Sequence, residues 1–307
     1  MRQSQMMMHG ERRLWLSLIS PLTPRPWAAS LRQGVTPLHC LESTQRRERC
    51  NDIGVGKTMD FENKVAIVTG AGGKLGRAIA TGLAQGGARV LIADVKADLL
   101  EETAALIREA GGTVEILVSD LTKKDGCVAI VDAAVSAFGR LDIVVNNAGY
   151  ISFSRLAAVT AEDWERTFQV NVHAPFFIIQ AAMPHLLKSH GNVVNVASNA
   201  AFKGQAYTPA YGASKAALVN ATKSLALEFI HEPVRINCVA PGATNTNMGT
   251  NTAIPQDVDY ALVGRLTPLR PFAEPEAVAE VVLFVASDRA SAVHGATYLA
   301  DIGMMAG

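Results

Sequence analysis

From Lys64 onward, short apolar runs alternate with longer stretches of helical period, and few folds can use that order. Lys64–Thr69, Arg89–Asp94, Thr113–Val118, Leu141–Val145, Asn192–Ala197, Val234–Val239 and Ala296–Ala300 read as strands. They are predominantly apolar, as expected of strands covered on both faces. Between them, residues 75–86, 97–110, 122–138, 161–189, 209–230 and 274–287 carry helical spacing. The longest of these, 161–189, is expected to bend at Pro175 and Pro184. Residues 243–270 lack a period and are expected to form a lid. Regular strand–helix alternation over 59–307 predicts one α/β domain, a doubly wound parallel seven-stranded sheet with helices on both faces.

Nearly half of the 307 residues are apolar, enough for the core of one large domain. Charge is balanced overall but unevenly spread: residues 1–58 hold nine Lys/Arg against four Asp/Glu, and 59–307 hold nineteen against twenty-four. A mildly acidic body argues against a nucleic-acid surface and for a small-molecule substrate. No apolar run approaches the roughly eighteen residues a spanning helix needs, so no membrane segment is expected. Cys40, Cys50, Cys127 and Cys238 are scattered, with neither a Cys-x-x-Cys pair nor histidines at ligand spacing. They read as free thiols in a reducing, cytoplasmic compartment, with no metal site. Residues 1–58 show no sustained period and are expected to be a disordered extension. Their arginines leave an organelle transit peptide open, against which Glu11, Glu42, Glu48 and Asp52 count. Gly54-Val-Gly-Lys57-Thr58 imitates the end of a phosphate loop, but Asn51 stands where its first glycine belongs and no strand precedes it.

Chemistry concentrates at the C-terminal ends of the expected strands, where ligands bind in open α/β sheets. The first strand runs into Thr69-Gly70-Ala-Gly-Gly73-Lys74-Leu75-Gly76. Glycines there let backbone approach a pyrophosphate resting on the next helix's N-terminus. Asp94 ends the second strand, where an acid bonds ribose hydroxyls and repels a 2′-phosphate, favouring NAD over NADP; a solvated turn is the alternative. Asp120 ends the third, either against an adenine ring or in a helix-capping turn. Asn147-Ala148-Gly149 ends the fourth, bordering the cofactor or simply turning the chain. Ser198 ends the fifth. Tyr211 and Lys215 stand four apart on one helix face, within mutual reach. An ammonium beside a phenol favours the phenolate, which would fit Tyr211 for acid/base work near neutral pH. Alone, a Tyr-x-x-x-Lys arises often by chance, and a helical Tyr usually serves packing.

Together these stretches resemble the short-chain dehydrogenase/reductase family over about residues 61 to 303. Asn146-Asn-Ala-Gly149, Asn171, Ser198, Tyr211-x-x-x-Lys215 and Pro241-Gly242 match its motifs in order and spacing. The resemblance implies a Rossmann-like fold and NAD- or NADP-dependent hydride transfer between a secondary alcohol and a ketone. It makes Asn171, Ser198, Tyr211 and Lys215 the catalytic set, with Asn171 placing a water linked to Lys215. It assigns cofactor contacts to Gly70, Gly73, Lys74, Leu75, Gly76, Asp94, Asp120, Leu121 and Asn147–Gly149. Tyr211, Lys215, Pro241, Gly242 and Thr246 complete that set. One departure stands out: Lys74 occupies the middle glycine of the shorter members' loop, whereas Gly70-x-x-Gly73-x-x-Gly76 has the spacing of the extended members. Lys74 would crowd the pyrophosphate, set its ammonium against a phosphate, or tolerate a 2′-phosphate.

For substrate, Met248, Ile254, Tyr260, Leu262 and Leu266 are expected to form an apolar wall, with Tyr150, Ala200, Phe202 and Tyr207 opposite. Such residues serve core packing as often. A 3-oxoacyl reductase competes with a dehydrogenase of cyclic, steroid-like or sugar-derived alcohols, and Arg155 and Lys203 are the only basic residues offered to an acyl carrier. A dinucleotide-sensing protein without catalysis is the reading from another class. Family resemblance further implies a homodimer or homotetramer through helices 161–189 and 209–230.

Overall fold

The computed structural model describes residues 60–246, 248 and 254–306; the expected extension, its glycine–lysine stretch, Cys40 and Cys50 lie outside the described residues. The strands and helices belong to one compact unit, Lys57–Gly307. Strands β1 (Val65–Thr69), β2 (Arg89–Asp94), β3 (Thr113–Val118), β4 (Ile143–Asn146), β5 (Asn192–Val196), β6 (Arg235–Pro241) and β7 (Thr297–Ala300) form one sheet. Their order is β3-β2-β1-β4-β5-β6-β7, and every pairing is parallel. The order reverses between β1 and β4, which opens a crevice above their C-terminal ends.

Helices α1 (Lys74–Gln85), α2 (Ala97–Glu109) and α8 (Pro275–Ala286) cover one face, burying Ile79, Leu83, Leu100, Ile107 and Val282 against the sheet. Helices α3 (Lys124–Phe138), α5 (Ala174–Ser189) and α6 (Pro209–Glu228) cover the other, with Ile130, Ile178, Leu186 and Ala226 inside. Each fully buried Ile or Leu contributes roughly 2 kcal/mol through the apolar surface it withdraws from water. Strand residues such as Val65 to Val68 are wholly buried because helices lie above and below them, which explains their unbroken apolar runs.

One expected helix is in fact two. Residues 161–189 divide into α4 (Ala161–Phe168), a π-helical turn (Gln169–His173) and α5. The break precedes both prolines. In that turn the Ala174 N–H bonds the Gln169 carbonyl, five residues back. Pro175 has no N–H, so the donor that an α-helix would offer the Asn171 carbonyl is missing. Within the expected lid, a short helix α7 (Tyr260–Gly264) is capped by Asp259, and a bridge joins Thr244 to Ala273.

Candidate active site

The loops after β1, β2, β4, β5 and β6 surround a cavity of about 500 Å³. Its floor is the glycine loop. Gly70 has φ +66, and a Cβ there would lie 2.8 Å from Ala148 Cα. At Gly76 a Cβ would lie 2.2 Å from the Gly70 carbonyl oxygen, so helix α1 packs on its own loop only through glycine. Gly73 is different, since a Cβ there would meet the same oxygen at an ordinary 3.5 Å. The chain's own packing therefore demands glycine at 70 and 76, and Lys74 occupies the first helical position, exposed and bordering the cavity. No side chain caps this helix, which leaves the first-turn N–H groups facing the cavity for an anion.

Thr69 joins the two central loops. Its Oγ1 accepts from the N–H groups of Asn147 and Ala148, both at 3.1 Å. Asn147 Nδ2 donates in return to the carbonyls of Thr69 and Gly70, at 3.0 and 3.2 Å. Asp94 closes the far end: one carboxylate oxygen accepts from Gly72 N–H, the other from Val95 and Lys96 N–H. Lys96, Leu99 and Asp94 border the cavity together. A glycine cradle, an uncapped helix and an acid beyond it fit a dinucleotide, pyrophosphate on α1 and adenosine ribose toward Asp94.

Ser198, Tyr211 and Lys215 border the inner end of the cavity. Helix α6 turns Tyr211 and Lys215 inward, 8% and 3% exposed. The Lys215 ammonium lies 5.9 Å from the Tyr211 ring centroid and donates to the Val196 carbonyl at 2.8 Å. Burial pulls the Lys215 pKa down to about 8. The expected lowering of the Tyr211 pKa by Lys215 is not found. Burial pushes the phenol up, and the opposing influence is a hydrogen bond from Ser198. The hydrogen bond that the ammonium does make is to Val196.

Asn171 is fully buried behind this group. Its Oδ1 accepts from Tyr150 N–H at 2.8 Å, and its Nδ2 donates to the Tyr150 carbonyl and to Ser214 Oγ, each at 2.9 Å. With its side chain so engaged, the group it can offer a water is its backbone carbonyl, freed by Pro175. The π-helical turn is thus the local structure that fits Asn171 for its expected place.

Most nominated residues meet at the cavity, including Gly70 to Gly76, Asn147 to Gly149, Pro241, Gly242 and Thr246. Asp120 and Leu121 do not border it. Leu121 is buried in the core beneath α3. Asp120 accepts from Thr122 N–H and Oγ1, which hold its carboxyl below the usual range, and it borders a separate cleft of about 750 Å³ with Glu162 and Arg166. It closes a turn and does not itself cap α3, whose cap position is Lys123. Of the expected apolar walls, only Met248 and Tyr150 border the cavity; Ile254, Tyr260 and Leu262 are exposed. Sequence reasoning missed Ile151, Thr244 and Lys96 as lining, and Thr69, Ser214 and Asn199 as supports. A Thr preceding the glycines was the one visible signal among them.

Residues 70–305 match the family model described as enoyl-(acyl carrier protein) reductase. The chain is 35% identical over 251 residues to the 3-oxoacyl-[acyl-carrier-protein] reductase of Thermotoga maritima, covering 80% of this chain and 100% of that protein. It is 36% identical to the meso-2,3-butanediol dehydrogenase of Serratia marcescens, covering 81% and 97%. A solved short-chain dehydrogenase from Mycobacterium paratuberculosis, bound to NAD, superposes with a TM-score of 0.74 at 30% identity, covering 81% of this chain and 100% of that one. A solved protein from Beutenbergia cavernae holding NADP gives 0.74 at 33%, covering 81% and 100%.

Proposed function

The chain belongs to the short-chain dehydrogenase/reductase family of NAD(P)-dependent oxidoreductases, and from that premise we propose that it interconverts a secondary alcohol and a ketone with Tyr211 as general acid/base. The observation that supports this reading is the convergence of Ser198, Tyr211 and Lys215 at the inner end of the cavity whose outer end is the glycine cradle. The dinucleotide, when bound, supplies or accepts the hydride. Tyr211 exchanges the proton at its phenolic oxygen with the substrate oxygen. Ser198 holds that oxygen through its hydroxyl. Lys215 holds the nicotinamide ribose and favours the ionised phenol once its ammonium leaves Val196. The Asn171 carbonyl holds a water through which that proton is renewed.

Asp94 supports NAD over NADP, because a carboxylate at the adenosine ribose repels a 2′-phosphate. Tyr150, Ile151 and Met248 at the substrate end suit a compact, largely apolar alcohol. A 3-oxoacyl reductase working on an acyl carrier is the second reading, favoured by the matched family model and the Thermotoga relative. Arg155 is paired with Asp257 at the surface and Lys203 makes a long bond to the Met304 carbonyl, so these two basic residues lend an acidic carrier only modest support. Assembly into homodimers or homotetramers and a reducing, cytoplasmic setting complete the proposal; no described helix is long and apolar enough to cross a membrane.

The test is a panel of secondary alcohols and 3-oxoacyl thioesters with NAD(H) and NADP(H), run on the protein and on Tyr211→Phe. Removing a general acid/base should cost about 10²- to 10⁴-fold in turnover with dinucleotide affinity unchanged. Turnover within a few-fold of the parent would remove Tyr211 from the chemistry. Absence of any nicotinamide-linked turnover across the panel would favour a dinucleotide sensor, and preference for NADPH would overturn the reading of Asp94.

A further inference from the structure

Ser198 has one hydroxyl proton and two lone pairs. Ala200 N–H donates to Oγ at 3.2 Å, and Oγ donates its proton to Asn199 Oδ1 at 3.4 Å. Tyr211 borders the same inner end of the cavity, and a Ser198 hydrogen bond favours its ionised form. Once Tyr211 ionises, the phenolate and Asn199 Oδ1 are two acceptors for one proton. The bond to Asn199 is long and correspondingly weak, so the proton can leave it.

Asn199 is 3% exposed. Its orientation is fixed by an unusual neighbour. The thioether of Met304 accepts hydrogen bonds and cannot donate, so the Nδ2 end of Asn199 must face it, at 3.4 Å. That turns Oδ1 toward Ser198 and toward Gln205 Nε2, which donates to it at 3.4 Å. The same sulfur accepts Ala243 N–H at 3.3 Å, just past the Pro241-Gly242 turn. Met304 is itself held: Asp301 accepts from Gly303 and Met305 N–H at 3.0 and 2.9 Å, and Ile302 takes φ +51. A β-branched residue in that region persists only where its surroundings over-determine it.

We propose that Asn199 is a positioning residue for Ser198, set by Met304 on the C-terminal segment, and that it divides the Ser198 proton between itself and Tyr211 until a substrate oxygen takes it. This rests on Ser198 being the group that holds the substrate oxygen. Around the pair stand Tyr211 and Lys215 from α6, Cys238 from β6, and Lys203 and Asp301; apart from Tyr211→Phe, which serves as the spectral reference, the substitutions below alter none of them.

The readout is the ionisation of Tyr211, followed as the tyrosinate difference spectrum between each protein and its Tyr211→Phe counterpart, which needs no substrate. Asn199→Leu removes the competing acceptor and frees the Ser198 proton for Tyr211. Tyr211 should then ionise at lower pH, by up to about 0.5, a fraction of one neutral hydrogen bond because the bond removed is long. Met304→Leu keeps the apolar volume and removes the sulfur acceptor; it should shift the titration the same way but less. The double variant should match Asn199→Leu alone, because both act through one group. An unmoved titration in folded Asn199→Leu overturns the proposal, and if that variant does not fold, an unmoved titration in Met304→Leu does so. Ser198→Ala separates the premises: it should raise the pH of Tyr211 ionisation. If it does not, the coupling of Ser198 to Tyr211 fails; if it does while Asn199→Leu stays still, only the role of Asn199 fails.

Discussion

Lys215 illustrates how burial and partners divide control of one side chain. Its pKa is drawn down to about 8 because the ammonium is dehydrated, while the Val196 carbonyl alone is a modest compensation. A bound dinucleotide adds ribose hydroxyls and diphosphate charge, both favouring the ammonium, so binding above pH 8 must take up a proton. The sign follows: affinity is greatest below about pH 8 and falls as pH rises beyond it, by up to about tenfold per pH. Fluorescence titration with NADH from pH 6 to pH 10 checks this, and Lys215→Met should bind weakly with a flat profile. A parent profile that is flat, or that tightens with pH, would contradict the assignment. Four-residue spacing placed Tyr211 and Lys215 on one face from sequence alone. The carbonyl that diverts the ammonium belongs to β5, nineteen residues away in the chain, and no local spacing announces it.

At the scale of the element, the π-helical turn between α4 and α5 converts a proline into site geometry. Restoring the missing donor with Pro175→Ala offers the Asn171 carbonyl an α-helical partner. The variant should melt close to the parent, since Pro175 stands in the first turn of α5 where proline costs little, yet turn over several-fold more slowly. Calorimetry beside steady-state kinetics checks the pair of effects; unchanged kcat in a folded Pro175→Ala would detach the turn from catalysis. The strands were legible because a strand buried on both faces is predominantly apolar, as Val65–Val68 is throughout; Asn192–Val196 buries two asparagines as well, which hydrogen-bond to Ala286, Asn146 and Thr222. The π turn was not legible, because one extra residue leaves the apolar spacing of Trp164, Phe168 and Phe176 nearly undisturbed. Nor were the substrate walls: Ile254, Tyr260 and Leu262 are apolar in sequence, like Met248, yet only Met248 among them borders the cavity, a matter of tertiary placement.

For the whole molecule, the sheet's covering helices leave an uneven surface. The apolar rows of α6 expected to serve assembly are largely consumed within the chain, since Leu218, Val219 and Ala226 are buried. Apolar side chains left outward on α4 and α5 include Trp164, 40% exposed, and Phe176, 43% exposed, with Trp164 stacked on Phe168 at 5.5 Å. Leu227 and Ile230, at and beyond the end of α6, are exposed as well. Large apolar side chains are costly to leave in water and, where they cluster, commonly mark an interface. A second copy of this chain would bury them through the 161–189 helix pair, the assembly proposed above. Because Phe176 lies on the outer side of α5, Phe176→Glu should leave the fold and melting cooperativity intact while placing a charge in the contact. Sedimentation equilibrium should then show the parent as a dimer or tetramer and the variant shifted toward monomer, with Kd for self-association raised by at least about tenfold, as for an unpaired charge in an apolar interface. A parent that sediments as a monomer, or a variant that assembles unchanged, would move the contact away from α4 and α5 or remove it altogether.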